Sequence, residues 1–270
     1  MVDPGHDTAL EVADVSLRFG GLTVLKSVSM TAGAGEITAL IGPNGAGKSS
    51  LVNCVTGFYH PQQGRIRLFG QEIMGRPAHR VAELGVARTF QHIELFQGLS
   101  VIENLMLGRH RYLKAGALSN GIFYGRTRRE ELQQRAVVED LIDFLDMPHI
   151  RNTPVGLLPY GLQKRVDLGR ALAQEPRLLI LDEPMAGMNV EEKEDMARYI
   201  LELRQERPTS VILIEHDMGV VMDISDRVSV LDFGQFIAHG PPDQVRTDPA
   251  VISAYIGAST ESLTGEASAR

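Results

Sequence analysis

At 270 residues with a hydrophobic fraction of 43%, the chain is long enough for one large domain or two small domains with a buried core. Its formal net charge of −7 argues against a nucleic-acid-binding protein, which should carry a basic surface. The one cysteine, Cys54, excludes an internal disulfide. No basic segment followed by an apolar segment opens the printed sequence and no apolar run approaches the length of a membrane span, so we expect a cytosolic protein, or one held at a membrane only by a partner.

The first part of the chain is rich in predicted strands. Along Leu10–Phe19 the apolar residues alternate, with one irregularity between Val12 and Val15. Cys54 lies among apolar residues of a predicted helix, so we expect a buried structural thiol. The other predicted elements here are strands at Leu22–Met30, Glu36–Ile41, Arg65–Phe69 and Val86–Phe90 and helices at Lys48–Gly57 and Pro77–Leu84.

Residues 92–158 have a different pattern, in which no strand is predicted. Helical spacing covers Val101–Leu107 and Glu130–Leu145, and a glycine-rich connection, Lys114–Gly125, lies between them. We therefore expect a helical subdomain inserted into the chain. The tail after Ser259 consists mainly of small and polar residues and is expected to be disordered.

From Arg177 onward, strands and helices alternate again. This alternation predicts an α/β fold with a mainly parallel sheet and helices on both faces. The predicted strands are Leu178–Leu181, Val211–Glu215, Val228–Asp232 and Gln235–Ala238, and the predicted helices are Glu191–Glu206 and Met218–Ile224.

A motif of the form G-x-x-x-x-G-K-S lies between a predicted strand and a predicted helix. Such a loop can wrap backbone N–H groups around a polyphosphate, and the helix N-terminus adds partial positive charge. Lys48 would reach the β- and γ-phosphates, and the Ser49 hydroxyl would ligate Mg²⁺. The alternative is a plain glycine-rich turn, which the strand and helix context disfavours. The residues of this P-loop are Gly42, Pro43, Asn44, Gly45, Ala46, Gly47, Lys48, Ser49 and Ser50.

Two acids follow the apolar strand Leu178–Leu181. In a P-loop protein a neighbouring strand delivers a carboxylate to the Mg²⁺ shell, and Asp182 fits that role. Glu183 comes next and could polarise an attacking water as general base. Taken alone, the pair could be two acids at an exposed strand end, and the P-loop favours the catalytic interpretation.

Residues 10–257 resemble an ATP-binding-cassette (ABC) ATPase. The resemblance rests on the order of five motifs along the chain: the P-loop, a glutamine, a signature, the Asp-Glu pair and a histidine. The resemblance identifies Gln91 as the glutamine that senses Mg²⁺ where a transmembrane partner docks, and His216 as the histidine that contacts the γ-phosphate. It implies that adenine stacks on Phe19, that Mg²⁺ is held by Ser49, Gln91 and, through water, Asp182, and that Ala186–Asn189 forms the family's D-loop. Taken singly, Gln91 and His216 could be surface or capping residues, and Phe19 a core residue.

The family's signature, usually Leu-Ser-Gly-Gly-Gln, reads Leu-Pro-Tyr-Gly-Leu at Leu158–Leu162. Pro159 replaces the serine, Tyr160 replaces the first glycine, and Gly161 is kept. In this family the signature acts across a dimer, on ATP held by the other subunit. The missing hydroxyl therefore affects the site in the partner's P-loop, and we hypothesise that the two sites of the working dimer are unequal.

The resemblance also implies the fold and its division. We expect a P-loop NTPase core of the RecA-like type, with an N-terminal antiparallel β subdomain and an inserted α-helical subdomain. The core with its β subdomain takes residues 1–91 and 176–258, the helical subdomain with the signature takes 92–175, and 259–270 is the disordered tail.

Several segments, among them Arg88–Gln91 and Ala186–Asn189, resemble ATPase subunits of branched-chain amino acid importers. This implies an ATPase with ATP and Mg²⁺ that drives uptake of branched-chain amino acids or related small polar solutes. Implied partners are two transmembrane permease subunits, a second homologous ATPase subunit in a hetero- or homodimer and, indirectly, a soluble solute-binding protein, but no nucleic acid. The implied location is cytoplasmic, peripheral on the inner face of the plasma membrane through the permease subunits.

Three alternative functions share some of these sequence features. An ABC ATPase with another role, in export or in a soluble process, stays open, although the single P-loop and the lack of a heptad run disfavour translation and repair types. A GTPase or small-molecule kinase is disfavoured because the guanine-reading N-K-x-D motif is absent. A nucleotide-binding regulatory module that does not hydrolyse its nucleotide would not need Glu183 and His216. A measurement of phosphate release would distinguish it from an ATPase.

Overall fold

The computed structural model describes residues 8–89, 91, 93–112, 126–207 and 209–255, with the backbone alone for 126–130. The strands are β1 Thr8–Phe19, β2 Leu22–Gly33, β3 Ile37–Ile41, β4 Gln63–Leu68, β5 Gln71–Glu72, β6 Val86–Arg88, β7 Leu178–Asp182, β8 Ser210–Ile214, β9 Arg227–Asp232 and β10 Gln235–Gly240. The helices are α1 Lys48–Val55, α2 Ala78–Glu83, α3 Val101–Gly108, α4 Arg126–Phe144, α5 Tyr160–Leu172, α6 Val190–Glu206, α7 Met218–Ile224 and α8 Pro242–Arg246. Residues 249–255 are also helical.

The larger sheet has the strand order β10-β9-β3-β8-β7-β6. All neighbouring pairs are parallel except β9 with β10, so the predicted mainly parallel sheet is confirmed. Every residue of β3, β7 and β8 is buried, as expected for parallel strands covered on both faces. Because carboxyl ends of parallel strands meet at one edge, the segments after β3, β7 and β8 converge there.

The two faces of this sheet carry separate cores. Along β7, Leu179 and Leu181 belong to the cluster that also contains residues of α3, α4 and α5, whereas Leu178 and Ile180 belong to the cluster shared with α1 and the smaller sheet. This alternation follows from the two-residue period of a strand. The helices between β6 and β7 thus share one continuous core with the sheet, and the division at 92–175 stays a prediction.

The smaller sheet is antiparallel and has the order β2-β1-β4-β5, which confirms the implied N-terminal β layer. The irregularity predicted within the first strand is present. The register between β1 and β2 shifts between Val12 and Val15, where Asp14 has a φ of 51°. Further register shifts on either side show that β1 is less regular than its alternation suggests.

Several predicted boundaries are corrected. The helix predicted to reach Gly57 ends at Val55, because Gly57 adopts a φ of 77° and cannot continue it. The strand predicted to reach Phe90 ends at Arg88, and Phe90 lies outside the described residues. The glycine-rich connection and the tail at 259–270 also lie outside them. Strand β5 and helix α8 were not predicted.

Two other expectations concern burial and the membrane. Cys54 is buried, as predicted, and burial raises the pKa of its thiol to about 12. Over the part of the chain that the structure describes, no helix has the length and apolar character required to cross a membrane.

Candidate active site

A cavity of about 270 Å³ lies at the carboxyl ends of the parallel strands. We call it the P-loop cavity. It brings together most of the residues that the sequence predicted. Its lining consists of Val24, Asn44, Gly45, Ala46, Gly47, Lys48, Ser49, Ser50, Gln91, Asp182, Glu183, Ile214 and His216.

The loop between β3 and α1 has a backbone that only glycine fits at two positions. Gly42 has a φ of 149°, and a Cβ there would lie 1.9 Å from the carbonyl oxygen of Leu231. Gly47 has a φ of 106° and forms the N-cap of α1, which has no side-chain cap. The first N–H groups of α1 are therefore left for another acceptor, and a phosphate is the group such a helix start favours.

Lys48 lies across this loop. Its Nζ donates to the carbonyl oxygens of Gly42 at 2.7 Å and Pro43 at 3.0 Å, and the residue is 8% exposed. Burial lowers the pKa of the amine, while Glu183 and Asp182 oppose that effect. The main-chain carbonyls of Gly42 and Pro43 thus hold the lysine amine in place. Neither residue is among the described residues that line the P-loop cavity.

Asp182 is held by groups that the sequence analysis did not single out as site residues. Its Oδ2 accepts from Arg88 Nη2 at 2.7 Å, and Arg88 Nη1 donates to Asn53 Oδ1 at 2.7 Å. The backbone N–H of Asp182 donates to Thr89 Oγ1 at 3.2 Å. The side chains of Arg88 and Asp182 are 12% and 9% exposed, so the pair is almost buried. The only sequence signal was the position of Arg88 three residues before Gln91.

Glu183 is the point at which three predicted residues meet. Its Oε1 lies 2.7 Å from His216 Nε2, and its Oε2 accepts from Gln91 Nε2 at 3.0 Å. The backbone of Glu183 has a φ of 51°, a left-handed conformation that is uncommon for a residue with a side chain. Such strain is often found at functional sites, where the surrounding structure holds it.

Glu215 is a buried acid that sequence reasoning missed. Its Oε1 accepts from the N–H of Met185 at 2.8 Å, and its Oε2 accepts from the N–H of His216 at 3.1 Å. Burial raises the pKa of this carboxyl. Glu215 thereby ties the segment after Glu183 to the histidine that contacts it. The signal in the sequence was an acid at the end of a strand, directly before His216.

The signature lies at the start of α5 and is not part of the described lining of the P-loop cavity. Pro159 is the N-cap of α5 and supplies no side-chain hydrogen bond, and neither it, Tyr160 nor Gly161 is among the described lining residues. Tyr160 is 45% exposed, and a Cβ at Gly187 would lie 3.1 Å from its ring. The start of α5 therefore contacts the loop at 186–189 and faces solvent.

Phe19 is also outside the described lining. It is 46% exposed and its ring contacts Tyr59 edge-on, with centroids 5.1 Å apart. It is therefore not a core residue. The strand that follows it, β2, contributes Val24 to the cavity. Adenine stacking on Phe19 stays a prediction.

The donor set around the cavity fits a hard cation. Ser49, Gln91 and Asp182 line it with hydroxyl, amide and carboxylate oxygens, which are the ligands that Mg²⁺ prefers. Among the described residues there is no group of three or more His, Cys, Asp or Glu side chains that could hold a metal by themselves. A Mg²⁺ ion that depends on phosphate oxygens for part of its shell needs no such group.

Comparisons with known proteins agree with this geometry. Residues 25–186 match the family described as ABC transporter, and residues 237–260 match the family described as branched-chain amino acid ATP-binding cassette transporter. The high-affinity branched-chain amino acid transport ATP-binding protein BraF of Pseudomonas aeruginosa is 41% identical over 92% of this chain and 97% of its own length. LivG of Escherichia coli K12, which has the same description, is 42% identical over 92% of this chain and 97% of its own length.

Solved structures give the same result. The ADP conformation of MJ1267, an ATP-binding cassette of an ABC transporter, superposes with a TM-score of 0.81 at 31% identity, covering 93% of this chain and 99% of that one. A nucleotide-free ATP-binding cassette from an ABC transporter superposes with a TM-score of 0.79 at 30% identity, covering 92% and 98%.

Proposed function

The chain belongs to the ATP-binding subunits of ABC transporters, and from that premise we propose that it hydrolyses ATP to drive uptake of branched-chain amino acids or related small polar solutes. The observation that carries the proposal is the meeting of Glu183 with Gln91 and His216 in the cavity that also holds Lys48. The carboxylate of Glu183, its two polar partners and the ammonium group of Lys48 share one cavity, which supports the proposed roles of base and phosphate-binding cation.

The P-loop binds the triphosphate. The N–H groups at the start of α1 and the Nζ of Lys48 donate to its β- and γ-phosphates, and Phe19 offers a ring for the adenine. Ser49, Gln91 and, through water, Asp182 would hold Mg²⁺, which neutralises charge that develops on the phosphate oxygens. Arg88 keeps the Asp182 carboxylate oriented for this role.

Glu183 serves as general base. It accepts a proton from the attacking water, and His216 steadies the γ-phosphate by hydrogen bonding. Phosphoryl transfer depends mainly on positioning and charge stabilisation, so these residues act by where they hold the reactants. The contact of Glu183 with both Gln91 and His216 supports a base whose position depends on its two neighbours.

The proposed assembly contains a second homologous ATPase, two permease subunits and, indirectly, a solute-binding protein, at the inner face of the plasma membrane. Pro159, Tyr160 and Gly161 act on ATP in the second ATPase. The exposure of Tyr160 and the absence of all three residues from the described lining of this chain's own cavity support that role. Since Pro159 has no hydroxyl, the partner's site lacks one donor, and the two sites differ.

A membrane subunit docks beside Gln91. An open cavity of about 290 Å³ next to β6 supports this placement, because its lining is mainly apolar and includes Phe58, which is 57% exposed. Apolar surface of this kind is typical of protein contacts.

The experiment is reconstitution of the subunit with its membrane partners in vesicles. We expect ATP-dependent uptake of leucine, isoleucine or valine with release of phosphate, and loss of both in the Glu183→Gln variant. Phosphate release without uptake of these solutes would point to another ABC role. A wild-type complex that releases no phosphate contradicts the proposal.

A further inference from the structure

Lys164 is a buried cation that the proposed mechanism leaves unused. It lies on α5, one turn after Tyr160, and is 4% exposed. Its Nζ donates to the backbone carbonyl oxygens of Gln91 and Glu183, each at 3.1 Å. Lys164 is not among the described residues that line the P-loop cavity. One ammonium group outside the cavity thus holds the main chain of two residues inside it.

The two carbonyl groups belong to residues whose side chains also meet. Gln91 Nε2 lies 3.0 Å from Glu183 Oε2, so the pair is fixed twice, once by side chains and once through Lys164. Gln91 follows β6 and Glu183 follows β7, which makes Lys164 a link between two strand ends. The separation of their backbones therefore depends on where α5 places its amine.

The backbone of Glu183 needs such support. With a φ of 51° it adopts a conformation that persists only when neighbours hold it. Its N–H donates to the carbonyl of Ile214 at 2.9 Å, and its own carbonyl accepts from the N–H of Ala186 at 3.3 Å and from Lys164. The bond from Lys164 is charge-assisted and is therefore the stronger of the two on that carbonyl.

Burial and nearby carboxylates act on the pKa of the Lys164 amine in opposite directions, and burial is the larger effect. Desolvation lowers the pKa of the amine, but the carboxylates of Asp167, Glu215, Glu183 and Asp182 raise it. An apolar side chain of the same length would fill this space without any desolvation penalty. The amine therefore contributes through its hydrogen bonds and its charge.

We propose that Lys164 is a positioning residue, which couples movement of α5 to the placement of Glu183 and Gln91. This inference rests on the proposed function, in which the start of α5 meets ATP held by the second ATPase. A helix transmits a displacement of its first turn along its axis because its backbone is rigid over one turn. Contact with the partner's nucleotide thereby adjusts the base at this chain's own site.

The test compares three variants of the full-length subunit. Lys164→Met keeps most of the length of the side chain and removes both hydrogen bonds, and Lys164→Arg restores a cation with several N–H donors. Arg165→Met is the matched control, because Arg165 is the next residue of α5. Its Nη2 forms an ion pair with Oδ2 of Asp195 on α6, at 2.9 Å. Removal of either basic side chain disturbs the packing of α5, but only Lys164 contacts Gln91 and Glu183.

We expect Lys164→Met to lower kcat by roughly tenfold or more in the assembled transporter while the ATP dissociation constant of the subunit changes less than about twofold, since only positioning for hydrolysis is lost. Lys164→Arg should recover most of kcat. Arg165→Met should lower Tm, but it should not lower kcat selectively while the ATP dissociation constant stays unchanged.

Two results overturn the inference. One is a wild-type kcat in Lys164→Met. The other is a parallel loss of kcat and ATP affinity in both Lys164→Met and Arg165→Met, which would assign Lys164 to packing alone. Failure of the proposed function is a separate outcome, because the wild-type complex itself would then release no phosphate.

Discussion

Arg88 Nη2 donates to Asp182 Oδ2 over 2.7 Å, so the carboxylate proposed for the Mg²⁺ shell is also half of a nearly buried ion pair. The arginine comes from the end of β6 and the aspartate from the end of β7, and these strands are parallel neighbours. The pair therefore fixes the carboxylate relative to the segment that carries Gln91.

Removal of the arginine is expected to destabilise the fold. Arg88→Met should lower the free energy of unfolding by on the order of 3 kcal/mol, because it leaves a buried carboxylate without its partner. Arg80→Met is the control: it breaks an exposed ion pair with Glu83 and should lower the stability by less than about 1 kcal/mol. Urea unfolding of both variants measures the difference, and equal losses would contradict the importance assigned to the buried pair.

The base assignment predicts a variant that binds ATP without turning it over. Glu183→Gln should lower the hydrolysis rate by about a hundredfold or more, because the amide cannot accept the proton of the attacking water. ATP affinity should stay close to that of the wild type, and a closed dimer should accumulate with ATP. Size-exclusion chromatography and phosphate release test this, and normal turnover would remove Glu183 from the role of base.

The P-loop lysine predicts the opposite behaviour. Lys48→Ala should weaken ATP binding by about 2 kcal/mol, or roughly thirtyfold in Kd, since a charge-assisted contact to the phosphates is lost. Lys26→Ala is the control, because Lys26 is exposed on β2. ATP titration of both variants checks this, and an unchanged Kd in Lys48→Ala argues against a phosphate contact.

The altered signature predicts a gain of activity. Pro159→Ser should raise the hydrolysis rate of the assembled complex several-fold, because the hydroxyl supplies a donor to the nucleotide of the second ATPase. A serine N-cap also stabilises α5 by about 1 kcal/mol. Pro159→Ala removes the proline without adding a hydroxyl, so it is the control for loss of the proline ring itself. If both variants hydrolyse ATP at the wild-type rate, the hypothesis of unequal sites is wrong.

The buried thiol predicts low reactivity. With the pKa of Cys54 raised to about 12, about one molecule in ten thousand carries a thiolate at pH 8. Alkylation by iodoacetamide should therefore be slow in the native protein and fast in urea, where the pKa returns to its ordinary value. Native and denatured rates that agree would show that Cys54 is accessible.

Much of the site could be predicted because its chemistry is local in sequence. The P-loop and the pair Asp182 and Glu183 each follow an apolar run that reads as a buried strand, and parallel strands bring their carboxyl ends together. Gln91, His216 and the signature were found by resemblance, since a single glutamine or histidine carries little information alone.

The supporting contacts were not predictable in this way. Arg88 with Asp182, Glu215 with the N–H groups of Met185 and His216, and Lys164 with two backbone carbonyls all join segments that are distant in the chain or depend on side-chain direction. Nothing in the local pattern shows which basic residue will be buried against which carbonyl.

The sequence by itself determined the parallel strands, the phosphate-binding loop and the order of the chemical groups, because hydrophobic periodicity and glycine spacing act over a few residues. Only the tertiary structure decided that Glu183 adopts a left-handed backbone between Gln91 and His216, and that the main chains of Gln91 and Glu183 share one buried ammonium group. These arrangements depend on the packing of α5 against the strand ends, and such long-range contacts leave no periodic trace in the chain.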